Sequence, residues 1–224
     1  MIPKIIWQTY ECDYEDLPEY IKDCTKTWID LNPEWEYKYI NSSKRKEFVL
    51  SNYGEEWLNI FNNLPNNVMM ANMWSYMVLN SFGGMYVDID TVCKKPINYW
   101  LDNNFDLVCS TEFVDEDPKK DINVFIFAGK KNNIVFEKMF KYINNKLKDI
   151  GYSIEKHSDI SGYVAFNDVM NSIPNLFDTY NIDVFYGERS KIIHEESVDN
   201  LRASFNWKDN YISWRNTKES LNEY

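Results

Sequence analysis

Apolar and polar positions along the chain switch between a period of two and a period near 3.6, and the switches mark out a series of elements. PKIIWQ (3–8) predicts a buried opening strand. In LPEYIKDCTKTWIDLNP (17–33), Ile21, Cys24, Trp28 and Leu31 recur at helical spacing, and Asn-Pro closes the segment. WEYKYI (35–40) alternates as a strand does, and NSSK then supplies caps for a helix reaching about residue 52. Strand, helix, strand, helix in that order predicts an α/β sandwich with parallel strands. VMMANMWSYMVLNSF (68–82) is apolar nearly all round, which predicts a helix buried inside the domain. The glycine pair at 83–84 ends it, and MYVDID (85–90) reads as the next strand. FDLVCST (105–111) and NVFIFAG (123–129) read as two further strands. NIVFEKMFKYINNKLKDI (133–150) predicts a surface helix with Phe136, Phe140, Ile143 and Leu147 along its inner face. The remainder is more broken, with short strand candidates at IDVFY (182–186) and NYISW (210–214). No repeat, low-complexity tract or linker interrupts the chain, so residues 1–224 are read as one domain.

Composition changes this picture in three ways. Aromatic residues make up 17% of the chain, so some rings are expected to line a cleft for bases and sugar rings while the rest fill a core. The net charge of −11 argues against a nucleic-acid partner, which requires a basic face. A phosphorylated ligand is then expected to arrive with a divalent cation. Four cysteines (Cys12, Cys24, Cys93 and Cys109) without CxxC spacing predict free thiols in a reducing compartment. MIPKIIWQTY does not read as a signal peptide, and no apolar run reaches the roughly 20 residues that span a bilayer. The expectation is a soluble cytoplasmic protein, or one acting at a membrane face through partners. Its Asn-, Lys- and Ile-rich composition fits an AT-rich bacterial or viral genome.

The chemistry concentrates in SFGGMYVDID (81–90). In a strand, Tyr86, Asp88 and Asp90 share one face, and two carboxylates about 7 Å apart resist joint burial without a counter-charge. They are expected at a sheet end, facing solvent or a cation, and carboxylate oxygens suit Mn²⁺ or Mg²⁺. The same spacing in VDEDP (114–118) lies in a charged, proline-closed stretch and reads as a solvated loop. An apolar strand followed by Asp-x-Asp also occurs in haloacid dehalogenase-like phosphatases, where Asp88 would be the nucleophile and Asp90 the general acid. DLVCST resembles their second motif. However, the pair lies 88 residues into the chain, and YGERS (186–190) is a poor version of their later acidic loop.

Three blocks, IPKIIWQTY, NPEWEYKYINSSK (32–44) and ANMWSYMVLNSFGGMYVDIDT (71–91), resemble in order and spacing the DXD sugar transferases of glycosyltransferase family 32. The core layout also resembles the glucosylating domains of large clostridial toxins. The resemblance implies an α/β GT-A fold, a mixed but mostly parallel sheet flanked by helices. It implies a nucleotide-sugar donor, with a UDP-sugar such as UDP-glucose favoured and a GDP-sugar as the variant. It further implies retention of configuration and an unknown glycan or protein acceptor. Asp90 would coordinate Mn²⁺ or Mg²⁺ directly, and Asp88 would reach it through water while contacting the ribose or sugar. Trp7 would either stack on the base or pack in the core, with Gln8 and Tyr76 among the donor-side residues. Asn41 would contact base or ribose, or cap a helix, and Ser213 and Trp214 would close over the phosphates. Asn123, Asn167 and Asp168 would face the sugar or acceptor, with helix capping as the other reading of Asn167 and Asp168. Relatives usually carry Asp and Arg where this chain has Asn72 and Ser75. That departure implies altered donor choice, weak catalysis or a non-catalytic nucleotide-sugar binder. Relatives also often place a His where Asn206 stands, and His194 reads as structural.

Overall fold

The computed structural model describes residues 1–111, 122–150, 157–185 and 198–200. Its strands are β1 (Ile5–Thr9), β2 (Glu36–Ile40), β3 (Gly84–Val87), β4 (Thr91–Cys93), β5 (Leu107–Thr111), β6 (Ile122–Gly129), β7 (Ile182–Phe185) and β8 (Val198–Asn200). The helices are α1 (Glu19–Leu31), α2 (Ser42–Asn62), α3 (Asn67–Phe82), α4 (Ile134–Ile150), α5 (His157–Ile160), α6 (Tyr163–Ser172) and α7 (Leu176–Thr179). Six strands form one sheet in the order β2-β1-β3-β6-β5-β7, and β4 pairs with β8 in a separate ribbon. Strand β6 runs antiparallel to both neighbours, while β1 pairs in parallel with β2 and β3, and β5 with β7. The sheet is therefore parallel except for β6, as the strand–helix order predicts.

Alternation along each strand builds two layers of core. Trp7, Tyr86 and Phe127 point to the face covered by α2, α3, α4 and α6, while Ile6, Met85, Val87 and Ile126 point to the face holding Trp28 and Trp35. Helix α3 is buried around most of its circumference, from Met69 and Met70 through Leu79. Phe136, Phe140, Ile143 and Leu147 of α4 are all buried, so the helical period reads correctly there.

One boundary agrees with the sequence expectation and one differs. The range given for α2 holds two helical pieces, because Gly54 adopts the non-helical, glycine-only conformation of φ 84° and ψ 179°: the first piece ends close to residue 52, as expected, and the second runs on to Asn62. Strand β3 stops at Val87, so Asp88 and Asp90 lie in the turn after the strand and not within it. The glycine pair explains the sharp entry into β3. Gly83 has φ 69°, and a Cβ there would lie 2.8 Å from Pro3 Cδ and 2.9 Å from the Lys131 nitrogen. VDEDP, YGERS and NYISW, with His194, Asn206, Ser213 and Trp214, lie outside the described residues.

Candidate active site

The carboxyl ends of β1, β2 and β3 face one edge of the sheet, the edge where open α/β sheets bind ligands. Asp88 follows β3 directly, and its amide donates to the Phe125 carbonyl at 2.8 Å. Thr91 closes the turn: its amide and hydroxyl donate to the Asp88 carbonyl at 3.3 and 2.6 Å. Gln8 Nε2 adds a third donor to that carbonyl at 3.2 Å, and the Tyr37 hydroxyl donates to Gln8 Oε1 at 2.8 Å. The Asp88 carboxylate accepts from the Tyr86 hydroxyl at 3.0 Å, which keeps Tyr86 and Asp88 on one face, as alternation predicts. Between the acids, Ile89 is buried against Leu17 and Ile21, with Tyr10, Cys12, Tyr14, Tyr20 and Tyr39 around it. Asp88 and Asp90 themselves are half-buried.

The pair makes a negative pole that reaches into the protein. Burial, and then the Asp88 charge, push the Tyr76 and Tyr86 hydroxyls well above the usual tyrosine range. Burial, and then Asp90, push the Cys24 thiol up to about 12. Two half-buried carboxylates at a strand end fit a hard divalent cation that completes its shell with water and phosphate oxygens. Among the described residues no group of three His, Cys, Asp or Glu side chains forms a closed cage for a metal.

Other predicted residues have their polar groups engaged within the protein. Trp7 is 5% exposed, donates from Nε1 to the Gly83 carbonyl at 2.9 Å and meets Trp74 edge-on. Of the two readings for Trp7, core packing is the one the structure adopts, because its ring points into the layer under α3. Asn41 caps α2, accepting from the Lys44 amide at 2.8 Å, while its Nδ2 donates to Asp13. Asn72 Nδ2 donates to Ser161 Oγ at 3.3 Å, Ser75 Oγ to the Asn72 carbonyl at 2.7 Å, and the buried Tyr76 hydroxyl to the Ser161 carbonyl at 2.9 Å. Asn123 accepts from the Phe125 amide at 3.1 Å at the start of β6. Asn167 is buried and ties α6 to β6 through the Ile122 amide and carbonyl, both at 3.1 Å. Asp168 is exposed and accepts from the Tyr142 hydroxyl at 2.7 Å. Neither caps a helix, since α6 begins after Gly162.

Sequence reading missed the parts that hold the turn. Thr91 and Tyr37 carried no signal beyond composition. Arg45 did carry one: it occupies a core position of α2, four residues before Val49, and both are buried.

Residues 18–106, from the residue before α1 to the residue before β5, match the family described as glycosyltransferase sugar-binding region containing DXD motif. This segment is similar to a DXD glycosyltransferase region. The Asp-x-Asp within it is Asp88–Asp90, and the match favours the transferase family over the phosphatases. An initiation-specific alpha-1,6-mannosyltransferase of Candida albicans is 29% identical over 107 residues, 46% of this chain and 28% of that protein. The chain's matches to such curated relatives span about a quarter of the relatives' length. Among solved structures, PaToxG glycosyltransferase superposes with a TM-score of 0.56 at 15% identity, covering 80% of this chain and 72% of that one. The UDP-bound glycosyltransferase domain of the YGT toxin superposes with a TM-score of 0.53 at 8% identity, covering 82% and 79%. These superpositions establish the GT-A fold for the DXD region and the strands around it. No helix among the described residues is long and apolar enough to cross a membrane.

Proposed function

We propose that the protein transfers a hexose from a nucleoside-diphospho-sugar to a glycan or protein acceptor, with a divalent cation as cofactor and with retention of configuration. The observation that carries this reading is the placement of Asp88 and Asp90 in a braced turn at the carboxyl edge of a GT-A sheet, inside the DXD region. Asp90 would ligate the cation, and Asp88, oriented by Tyr86, would face the sugar end of the donor. A cation held by the pair would offset the negative charge that grows on the departing nucleotide. Asn72 and Ser75 sit one helical turn apart on α3 and offer amide and hydroxyl groups to sugar hydroxyls once donor displaces their internal partners.

Two donors have support. The YGT toxin domain is UDP-bound, which favours a UDP-sugar, and the fungal relative is a mannosyltransferase, which favours mannose as the sugar. Calorimetric titration with UDP- and GDP-sugars, in Mn²⁺ and in chelator, tests the reading. One donor binds only with metal, is slowly hydrolysed to free sugar, and loses its metal-dependent binding in Asp90→Ala. Unchanged binding in Asp90→Ala refutes the assignment of the metal site. The uncharged Asn72 and Ser75 support a second reading, a nucleotide-sugar binder, for which tight binding without hydrolysis or transfer is the signature.

A further inference from the structure

A buried cation is fastened to the end of β1, the strand that pairs with β3 ahead of the Asp88–Asp90 turn. Arg45, in the first turns of α2, is fully buried at a position where a helix packed on a sheet ordinarily carries an aliphatic residue. Burying a guanidinium is costly unless charge and hydrogen bonds compensate it. Nη1 donates to Thr9 Oγ1 at 2.9 Å and Nη2 to the Glu11 carboxylate, while Nε is buried without a hydrogen-bond partner. A core that needed only volume there would be better served by leucine or methionine.

The contacts of Arg45 lead to the acidic pair. Thr9 ends β1 two residues past Trp7, which pairs with Tyr86 of β3, two residues before Asp88. Glu11 begins the connection from β1 to α1, and each residue of its first stretch is fastened to the end of β2 or the start of α2. The Glu11 carbonyl accepts from Ser42 Oγ at 2.8 Å, the Cys12 carbonyl from the Tyr39 hydroxyl at 2.6 Å, and the Asp13 carboxylate from Asn41. Tyr10 and Cys12 of this connection, with Tyr39 of β2, then line the cup that seats Ile89. Ile89 is the middle residue of the motif, and its seating leaves the flanking carboxylates at the rim.

We propose that Arg45 is a positioning residue for the Asp88–Asp90 pair: by clamping Thr9 and Glu11 it fixes the cup around Ile89, and so sets the spacing and direction of the two carboxylates toward a divalent cation carrying a nucleoside diphosphate. The proposal deepens the glycosyltransferase reading and rests on it. The test is calorimetric titration of Mn²⁺ with UDP, and of Mn²⁺ with GDP, into the full chain. It is run on wild type, Arg45→Lys, Arg45→Met, Glu11→Gln and the core control Ile143→Val, with a melting curve for each. Arg45→Met weakens metal–nucleotide binding about tenfold or more, in the range seen for residues that orient metal ligands, and Arg45→Lys recovers part of the loss. Glu11→Gln loses affinity in the same direction with a smaller change in Tm, because its side chain is 34% exposed. Ile143→Val lowers Tm with affinity unchanged. Wild-type affinity in Arg45→Met, or in Glu11→Gln if Arg45→Met does not fold, overturns the proposal. A wild-type protein that binds neither nucleotide with Mn²⁺ overturns the donor-site reading itself and this proposal with it.

Discussion

Gly54 and Gly83 offer a matched pair for separating backbone strain from steric crowding. Gly54 has φ 84° and ψ 179°, and Gly83 has φ 69° and ψ −167°, so the two residues occupy nearly the same conformation. That region is essentially reserved for glycine, and an alanine placed in it costs about 2 kcal/mol. The surroundings differ. A Cβ on Gly54 meets nothing within 4 Å, whereas one on Gly83 meets Pro3 Cδ at 2.8 Å, the Lys131 nitrogen at 2.9 Å and the Gly129 carbonyl at 3.0 Å. Two of those three are backbone atoms, so the strain cannot be relieved by a rotamer change, and overpacking of this kind adds about 2 kcal/mol. Gly54→Ala is therefore expected to lower Tm by roughly 6 °C and Gly83→Ala by roughly 12 °C, for about 3 °C per kcal/mol in a domain of this size. Differential scanning calorimetry reads both shifts. Near-ultraviolet circular dichroism gives a second reading, because the Trp7 indole donates to the Gly83 carbonyl. Gly83→Ala is also expected to weaken Mn²⁺–nucleotide binding, since β3 and its following turn start from this residue, while Gly54→Ala leaves binding unchanged. Equal Tm values for the two variants would refute the crowding argument.

Trp7→Phe removes the indole donor and leaves the buried Gly83 carbonyl without it, at a cost of about 1–3 kcal/mol. With Trp7 in the core, UDP affinity in Mn²⁺ stays within about twofold, as expected for a change outside the binding surface; a large loss would show that the ring serves the base instead. The Asp106 carboxyl is held below its usual range, first by the hydrogen bond from Lys130 at 2.6 Å. A depressed folded value means that the contribution is present above the unfolded value near 3.9 and is lost as pH falls through the folded value. Asp106→Asn should thus lower Tm at neutral pH and converge with wild type in acid; a gap that persists at pH 2 would show that the carboxylate charge is not responsible.

Much of the fold is legible in the sequence because its strongest signals are periodic. The inner face of α4 and the apolar circumference of α3 need only counting. The site is legible in part. Asp88 and Asp90 stand out by following a glycine pair and an apolar strand, but their conformation does not, because the chain turns where Thr91 and the Gln8 side chain capture the Asp88 carbonyl. These partners lie 3 and 80 residues away, and local alternation encodes neither. Asn167 illustrates a different limit: its amide is spent on Ile122, 45 residues earlier in the chain. A polar residue on a helix looks the same in sequence whether it serves a substrate or a neighbouring strand. Arg45 lies in the basic run KRK (44–46), and only its phase with Val49 separates it from its exposed neighbours Lys44 and Lys46.

The burial of α3 has a consequence for the order in which the chain can become stable during synthesis. The family segment ends at residue 106, yet the helix at its centre is covered by α4 and α6, and β3 pairs on one side with β6. A nascent chain that has just emitted the Asp-x-Asp still lacks residues 122–172 and holds a greasy helix with half its cover missing. Such a chain exposes aggregation-prone surface until α4 and α6 emerge. The DXD region is thus a recognisable unit of sequence but not a unit of folding. Expression as a fragment ending near residue 106 should yield insoluble protein, and the later helices can drift in sequence only so far as they keep that cover apolar.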